Sequence, residues 1–329
     1  MPVEATVFIP TFNGEKYLER LLVAVEQQEF EGNVEILIID SGSTDGTLSI
    51  IARHPLVRLV QIPQSEFGHG KTRNLAATLA RGEYIVYLSH DAIPAGTFWL
   101  DAILLPLRSL GEGGENAQAV FGKHVARAGC FPVLKYGIDG VFNACGPDGR
   151  VSVVDGSVSS VDTLLPAQLF YSDVCSATRR SFLLEKIAYQ DLPYSEDLAF
   201  ARDLLVAGYR KAYQPSAVVE HSNDVTLAEY PRRTFDEFVG MRRVGEAPAR
   251  MGMLGTVARI VKETLLTGLR IIRDREYTLG RKLYWLFVNP AYVWAKWIGI
   301  RRALSVALDD RAAIAKFSLE AQHSTREEV

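Results

Sequence analysis

The stretch that decides the fold is VEILIIDSGSTDGT, residues 34–47. Its first half is dominated by valine, isoleucine and leucine and ends in Asp40, which is typical of a strand buried on both faces. Serine and glycine follow at once, so the chain turns directly into its next element. This pattern predicts one unit of a parallel sheet, in which ligands bind beyond the carboxyl ends of the strands.

Strand and helix patterns alternate on both sides of this stretch. The resulting βαβαβαβ order predicts an α/β fold, with a mainly parallel sheet, right-handed crossovers and helices on both faces. The chain beyond residue 234 is mostly helical in pattern. The predicted strands and helices of the first third are residues 5–10, 15–28, 34–40, 43–51, 57–62, 70–80 and 83–88.

Size and composition limit the function. The chain has 329 residues, 48% of them apolar, and a formal net charge of −3, which does not favour nucleic acid as a partner. We predict an α/β domain over residues 1–233 and a helical region over residues 234–329. Neither a signal peptide nor a continuous apolar stretch of about 18 residues is indicated. Three cysteines without metal-ligand spacing suit reduced thiols in the cytoplasm: Cys130, Cys145 and Cys175.

Two carboxylates follow predicted buried strands. Asp40 is placed to accept a hydrogen bond from a pyrimidine ring N–H, although a simple Asx turn explains the same pattern. Asp91, just past EYIVYL, is placed to bind a divalent cation that bridges two phosphates, or to cap a helix. Mg²⁺ suits such a site because it takes few protein carboxylates together with phosphate oxygens. His90 beside it fits a ligand or a solvent-facing histidine.

A second pair of carboxylates opens a helix in PYSEDLAFARDLLVAGYR, residues 193–210. Glu196 and Asp197 suit a helix N-terminus by charge alone. They also suit catalysis, with Asp197 as the general base for an acceptor hydroxyl and Glu196 orienting its neighbours. Downstream, His221 ends a predicted strand and fits either a metal ligand or a buried structural histidine.

The stretch SEFGHGKTRNLA, residues 65–76, places glycines and cations at the start of a helix. Lys71, Arg73 and the helix N-terminus together form an anion-receptive corner. The stretch lacks the spacing of a Walker phosphate loop, so it equally suits a solvated basic helix start.

In this order, the motifs resemble the family-two glycosyltransferases with a GT-A fold, over about residues 6–238. PTFNGEKYLERLL (10–22) and IIDSGSTDGT (38–47) are a specific opening for that family. Within it, the chain is most similar to bacterial rhamnosyltransferases. That similarity lies in EFGHGKTRNLA (66–76), LSHDA (88–92) and HSNDVTL (221–227).

The resemblance implies roles for these residues. Asp197 is expected to be the catalytic base within the Glu196–Asp197 pair. Asp91, the last acid of a degenerate DxD motif, and His221 are expected to hold Mg²⁺ or Mn²⁺. Asp40 is expected to contact the nucleotide base. The nucleotide-sugar site is expected to comprise Pro10, Thr11, Phe12, Asp40, Ser41, Gly42, His69, Lys71, Arg73, Asn74, His90 and Asp91.

The resemblance also implies an inverting transfer by single displacement. The expected donor is dTDP-L-rhamnose, with UDP-glucose and UDP-galactose as alternatives. The expected acceptor is a saccharide or a lipid-linked glycan, in the synthesis of a cell-surface polysaccharide. The expected location is the cytoplasm, including the inner face of the cytoplasmic membrane.

One departure from the family pattern keeps other functions open. Ser89 stands where the DxD motif has its first carboxylate, which leaves one metal carboxylate and gives weight to a non-catalytic sugar-binding relative. A nucleotidyltransferase on a similar sheet is a further alternative. A dehydrogenase is disfavoured because PTFNGEK lacks G-x-G-x-x-G.

The C-terminal helices suggest a partner. TVARIVKETLLTGLRIIRD (256–274) places aliphatic residues at helical spacing among arginines and a lysine, and LYWLFVNPAYVWAKWIGIRR (283–302) adds Trp285, Trp294 and Trp297 near basic residues. Aromatic and basic residues together suit a membrane surface. Helices packed on the catalytic domain or on a second subunit, as in a homo-oligomer, fit the same pattern.

Overall fold

The structure is a computed structural model that describes residues 2–109, 116–158, 160–245 and 248–321. The chain forms two compact units, one of residues 1–126 and 138–221 and the other of residues 127–137 and 222–329. Residues 222–233, which lie before the predicted boundary, group with the second unit. The reason is visible at Tyr230, whose ring packs on those of Phe131 and Tyr292.

The first unit is built on a nine-stranded sheet in the order β3-β2-β1-β4-β8-β6-β9-β5, with β7 also paired to β9. The pairs of β1 with β2 and β4, of β2 with β3, and of β6 with β9 are parallel, and the other pairs are antiparallel. The strands are β1 (Val3–Thr11), β2 (Asn33–Asp40), β3 (Val57–Gln61), β4 (Tyr84–Leu88), β5 (Ile93–Pro94), β6 (Ala119–Val125), β7 (Ser152–Asp155), β8 (Cys175–Arg179) and β9 (Arg210–Glu220).

Helices cover both faces of this sheet because its central strands are apolar on both sides. In β1, Val7 and Ile9 point into one core and Phe8 points into the other. Both cores are nearly free of solvent, so this period-two alternation fixes the register of the strands. The helices of this part of the chain are α1 (Glu15–Glu26), α2 (Thr47–Ile51), α3 (His69–Leu79), α4 (Trp99–Arg108), α5 (Pro132–Cys145), α6 (Pro166–Leu169), α7 (Arg180–Glu185) and α8 (Glu196–Val206).

The predicted α/β order of the first third is confirmed, with one shift. Helix α2 begins at Thr47, four residues after the predicted start at residue 43. Residues 42–44 instead form a loop around Asp40, which accepts hydrogen bonds from the N–H and the hydroxyl of Ser43.

The second unit is helical. Its core joins Phe131, Tyr136, Tyr230, Ile271 and Val293. Within the described residues, no helix is both long enough and apolar enough to cross a bilayer. Residues 132–137 of α5 group with this unit, and its other helices are α9 (Tyr230–Arg243), α10 (Met253–Arg273), α11 (Leu279–Ser305) and α12 (Arg311–Phe317).

Candidate active site

The carboxyl ends of the strands that carry the predicted site residues lie at one edge of the sheet. Thr11 at the end of β1 is paired with Asp40 at the end of β2, and β4 runs parallel to β1. Beyond β4, the Ser89 N–H donates to the Val174 carbonyl at 3.1 Å. The predicted residues at the ends of β1, β2 and β4 therefore lie together.

The carboxyl end of β9 lies at the same edge. Strand β6 is antiparallel to β8 and parallel to β9, so the carboxyl ends of β6 and β9 point the same way as that of β4. His221 follows β9 directly, and its N–H donates to the Val125 carbonyl at 2.9 Å.

Asp40 organises the loop that follows its own strand. Its side chain is fully buried, and each of its oxygens accepts two hydrogen bonds. Oδ1 accepts from the hydroxyls of Thr11 (2.9 Å) and Ser43 (2.5 Å). Oδ2 accepts from the N–H groups of Gly42 (3.1 Å) and Ser43 (3.0 Å). Gly42 has φ +93°, which favours glycine. A contact of Asp40 with a nucleotide base stays a prediction, because all four bonds are made within the protein.

A second loop, after β1, lies against this one. Asn13, in a left-handed conformation with φ 48°, accepts a hydrogen bond at Oδ1 from the Thr44 N–H at 2.8 Å. The next residue, Gly14, packs closely on His90, since a Cβ there would lie 3.1 Å from Cδ2 of His90. The loops after β1, β2 and β4 thus touch one another, with Pro10 and Phe12 partly exposed between them.

Asp91 and His221 meet across the edge. Oδ2 of Asp91 lies 3.4 Å from Nε2 of His221, although the two residues are 130 positions apart in the chain. The ring of His124 lies beside that of His221, with centroids 5.4 Å apart. Burial, and next the neighbouring His221, lower the pKa of His124 well below its ordinary value, so His124 stays neutral. Within the described residues, no group of three or more His, Cys, Asp or Glu side chains forms a metal cluster.

Arg73 joins two buried carboxylates near the start of α8. Its Nε lies 3.0 Å from Asp173 Oδ2, and its Nη1 pairs closely with Glu196. Asp173 also accepts hydrogen bonds at Oδ1 from Ser176 (2.5 Å) and Tyr189 (3.0 Å). A buried guanidinium shared by two carboxylates has a fixed geometry, because its planar fork donates in set directions.

Asp197 adjoins this cluster and is partly exposed. Its oxygens accept hydrogen bonds from the N–H groups of Asp173 (3.4 Å) and Leu198 (2.8 Å). Burial in the surrounding protein raises the pKa of Asp197, and repulsion from Glu196 and Asp173 raises it further, against the attraction of Arg73. A carboxyl whose pKa lies closer to neutrality takes up protons more readily, as a general base must.

The residue before this pair is in an unusual conformation. Ser195, the N-cap of α8, has φ 65° and ψ 28°, a left-handed conformation that costs a non-glycine residue about 1 kcal/mol or more. Its side chain makes no capping hydrogen bond. Strain of this size is retained where surrounding contacts fix a functional segment.

Helix α3 contributes Arg73 to the site but uses its other predicted residues differently. Both ends of the Asn74 amide bond the backbone of Tyr189, at 2.8 and 2.9 Å. A Cβ on Gly70 would lie 2.0 Å from the Gln190 carbonyl, so the helix start is packed against the chain. Lys71 is exposed, and the His69 ring packs on Phe67 at 5.1 Å.

Three residues of this arrangement are missed by the sequence analysis. They are Asp173, Tyr189 and His124. Each is buried, and each contacts a predicted site residue. An aspartate within the apolar stretch LFYSDVCSA, residues 169–177, is the one signal that could have been noticed, because an unpaired buried carboxylate is costly.

The family model for glycosyl transferase family 2 matches residues 6–120. The O-antigen chain rhamnosyltransferase RfbN of Salmonella typhimurium is 30% identical over 236 residues, which is 71% of each chain. This chain belongs to glycosyl transferase family 2. A second relative of this family-2 glycosyltransferase, the O-antigen chain rhamnosyltransferase WbaN of Salmonella anatum, is 29% identical over 70% of each chain.

A solved structure extends the likeness to the fold. The mannosyltransferase PcManGT of Pyrobaculum calidifontis, in complex with GDP-Man and Mn²⁺, superposes with a TM-score of 0.56 at 20% identity. The match covers 97% of this chain and 89% of that one. The predicted family and GT-A-type fold of this family-2 glycosyltransferase are therefore confirmed.

Proposed function

We propose that this glycosyltransferase is an inverting rhamnosyltransferase that moves L-rhamnose from dTDP-L-rhamnose onto a saccharide or lipid-linked glycan acceptor during synthesis of a cell-surface polysaccharide. The observation that carries this proposal is the position of Asp197, partly exposed beside a buried Arg73–carboxylate cluster. The choice of rhamnose is supported by the two Salmonella relatives, both of which are O-antigen chain rhamnosyltransferases. UDP-glucose and UDP-galactose are the alternative donors.

In this mechanism, Asp197 accepts the proton of an acceptor hydroxyl. The hydroxyl oxygen attacks the anomeric carbon, the bond from that carbon to the diphosphate oxygen breaks, and the configuration inverts. The raised pKa of Asp197 supports this role, since proton transfer is most effective when the pKa of the base lies near the working pH.

Arg73 acts in this mechanism as a positioning residue. By pairing with Asp173 and Glu196 at once, it fixes both neighbours of the base and offsets the repulsion between these two buried carboxylates and Asp197. Removing one partner of a buried ion pair typically costs about 3–5 kcal/mol, so the cluster depends on this cation.

The donor is proposed to lie over the loops at the sheet edge. Thr11, Asp40, Ser41 and Gly42 would face the base, with Pro10 and Phe12 beside them. His69, Lys71, Arg73, Asn74 and His90 are proposed near the sugar and diphosphate, and the exposure of Lys71 supports a contact with phosphate.

Asp91 and His221 are the proposed ligands of Mg²⁺ or Mn²⁺. A carboxylate oxygen and an imidazole nitrogen 3.4 Å apart fit a shared cation, and Ser89 supplies no further carboxylate. Two protein ligands are enough for a cation that completes its shell with water and diphosphate oxygens. When bound, the cation would neutralise charge on the leaving diphosphate.

The proposal is tested by incubating purified protein with a panel of nucleotide-sugars, with and without Mg²⁺ or Mn²⁺. Hydrolysis or transfer that is fastest with dTDP-L-rhamnose, and that yields a product of inverted anomeric configuration by NMR, supports it. Faster turnover of UDP-glucose or UDP-galactose would identify that nucleotide-sugar as the donor in place of dTDP-L-rhamnose. Binding of a nucleotide-sugar without turnover of any donor would instead favour a non-catalytic sugar-binding relative.

The acceptor determines the place of action. We propose a cytoplasmic reaction, at the inner face of the cytoplasmic membrane when the acceptor is lipid-linked. Assays with a soluble oligosaccharide and with a lipid-linked glycan separate the two acceptors. A rate enhancement confined to the lipid-linked acceptor would place the reaction at the membrane surface.

A further inference from the structure

We infer that the α10–α11 hairpin is a docking surface for an anionic lipid bilayer. The inference rests on the second unit alone and does not depend on the proposed donor or base.

Helix α10 buries the less apolar of its faces. Its packed side is formed by Thr256, Ile260, Glu263, Thr267 and Ile271, of which two are threonines and one is an acid. The aliphatic side chains that would ordinarily face a core are exposed instead. They recur every three or four residues at Leu254 (87% exposed), Val257, Val261, Leu265, Leu269 and Ile272.

These exposed residues form a continuous stripe. At 3.6 residues per turn they fall within an arc of roughly 120° on the helix surface. A second arc directly beside this stripe is basic, and it consists of the exposed residues Arg259, Lys262, Arg270 and Arg273. An apolar stripe bordered by cations is the arrangement of helices that lie in the plane of a membrane interface.

Helix α11 adds a second apolar stripe. Leu279, Leu283, Tyr284, Phe287 and Trp294 are between 56% and 87% exposed, and Phe287 is the most exposed of them. Tyr and Trp suit the boundary between headgroups and acyl chains because each has an apolar body and a polar end. Trp285, which the sequence analysis placed at the interface, is buried within the unit and does not contribute.

The acidic groups of the hairpin are few, and each is paired with a lysine. Residues 253–305 contain ten Lys and Arg but three Asp and Glu, in a chain whose formal net charge is −3. Each acid is paired: Glu263 with Lys296 at 2.7 Å, and Asp274 and Glu276 with Lys135 at 2.9 and 2.5 Å. Glu263 also accepts from the Trp297 indole at 2.6 Å. Because cations outnumber the paired acids, this segment has an excess of positive charge, which matches a negatively charged leaflet.

Charge complementarity favours a membrane over a second copy of the chain. A two-fold axis would place the same patch on both partners, so a dimer through this stripe would bring two basic arcs to its rim. Anionic headgroups at the rim would instead be attracted to those cations, while the aliphatic side chains enter the acyl boundary.

The test is flotation of the full chain with phosphatidylcholine vesicles, with and without 30% phosphatidylglycerol. Binding is expected on the anionic vesicles and is expected to weaken as salt rises, because surface charge is screened. Leu265→Glu combined with Phe287→Glu should reduce the partition coefficient at least tenfold. Leu56→Glu combined with Val158→Glu, at exposed apolar positions of the first unit, should leave it unchanged.

A second pair of variants tests the cations. Lys262→Gln combined with Arg273→Gln should lower partition into anionic vesicles about thirtyfold, at roughly fivefold per cation. Arg150→Gln combined with Lys186→Gln, also exposed, should have little effect. All these positions are exposed, so thermal unfolding should be unchanged and loss of folding would be recognised directly.

Two results would overturn the inference. One is failure of the wild-type protein to float with anionic vesicles at low salt. The other is a dimer in sedimentation velocity that Leu265→Glu with Phe287→Glu converts to monomer, which would assign the stripe to a second copy. Nucleotide-sugar hydrolysis in the absence of vesicles is unaffected by either result, so it reports on the proposed function separately.

Discussion

Asp40 and Asp197 lie near the same edge of the sheet, yet their surroundings differ in kind. Asp40 is fully buried and accepts four hydrogen bonds, two from hydroxyls and two from backbone N–H groups. Asp197 is partly exposed, accepts from two backbone N–H groups and adjoins two other carboxylates. A carboxylate surrounded by donors holds a loop in place, whereas one surrounded by like charge readily takes up a proton.

The largest expected difference between the two is in turnover. Asp197→Asn should lower kcat about a thousandfold, because general base catalysis typically contributes 10²–10⁴-fold. Affinity for dTDP should be unchanged. Turnover is measured by donor consumption and affinity by calorimetry. Asp162→Asn, at an exposed aspartate of the same unit, should retain full activity. Turnover by Asp197→Asn close to that of wild type would remove Asp197 from the reaction.

The second expected difference is in stability. Asp40→Asn should lower the free energy of unfolding by about 2 kcal/mol, because hydrogen bonds to a charged group are worth about 1.5–3 kcal/mol. Asp197→Asn should leave it unchanged or raise it, because the substitution removes repulsion among neighbouring carboxylates. Urea titrations at pH 7.5 measure both, with Asp148→Asn, a mostly exposed aspartate, as the control. Equal losses in the free energy of unfolding of the two variants would contradict the distinction between a structural Asp40 and a catalytic Asp197.

The third expected difference is in the response to pH. Since the pKa of folded Asp197 is raised to about 7 from an ordinary value of 3.8, this group binds protons more tightly when folded. Its contribution makes the protein less stable as pH rises from about 4 to about 7. Activity runs the other way, because the ionised form is the base, and kcat/KM should rise about tenfold between pH 6 and pH 8. A flat profile over that range would contradict the raised pKa.

The smallest expected effect is a shift in the midpoint of the pH profile, which tests the part played by Arg73. Arg73→Lys keeps the positive charge beside Asp173 and Glu196 but loses the fork that bonds both. The midpoint of the pH profile should move little, while kcat falls. Arg73→Met removes the charge and should move the midpoint to higher pH. Identical midpoints in the two variants would show that Arg73 acts on structure alone.

Sequence patterns predicted the first four strands because burial on both faces leaves a strong signal in residues such as VEILIID. They also placed Asp40, Asp91, Asp197 and His221 at or just after strand ends or at a helix start, where the structure has them, while the roles of these residues stay predictions. They missed Asp173 because its partners, Arg73 and Tyr189, come from α3 and from the loop before α8. Such a contact depends on how helices pack on the sheet, and local sequence patterns do not predict it.

The account rests most directly on the titration of Asp197, which can be observed with ¹³C-labelled aspartate carboxyl groups by NMR. One carboxyl signal of the wild-type protein should titrate near pH 7 and should be absent from Asp197→Asn. If every aspartate signal titrates below pH 5, or if the signal near pH 7 survives the substitution, Asp197 is not the proton acceptor described here.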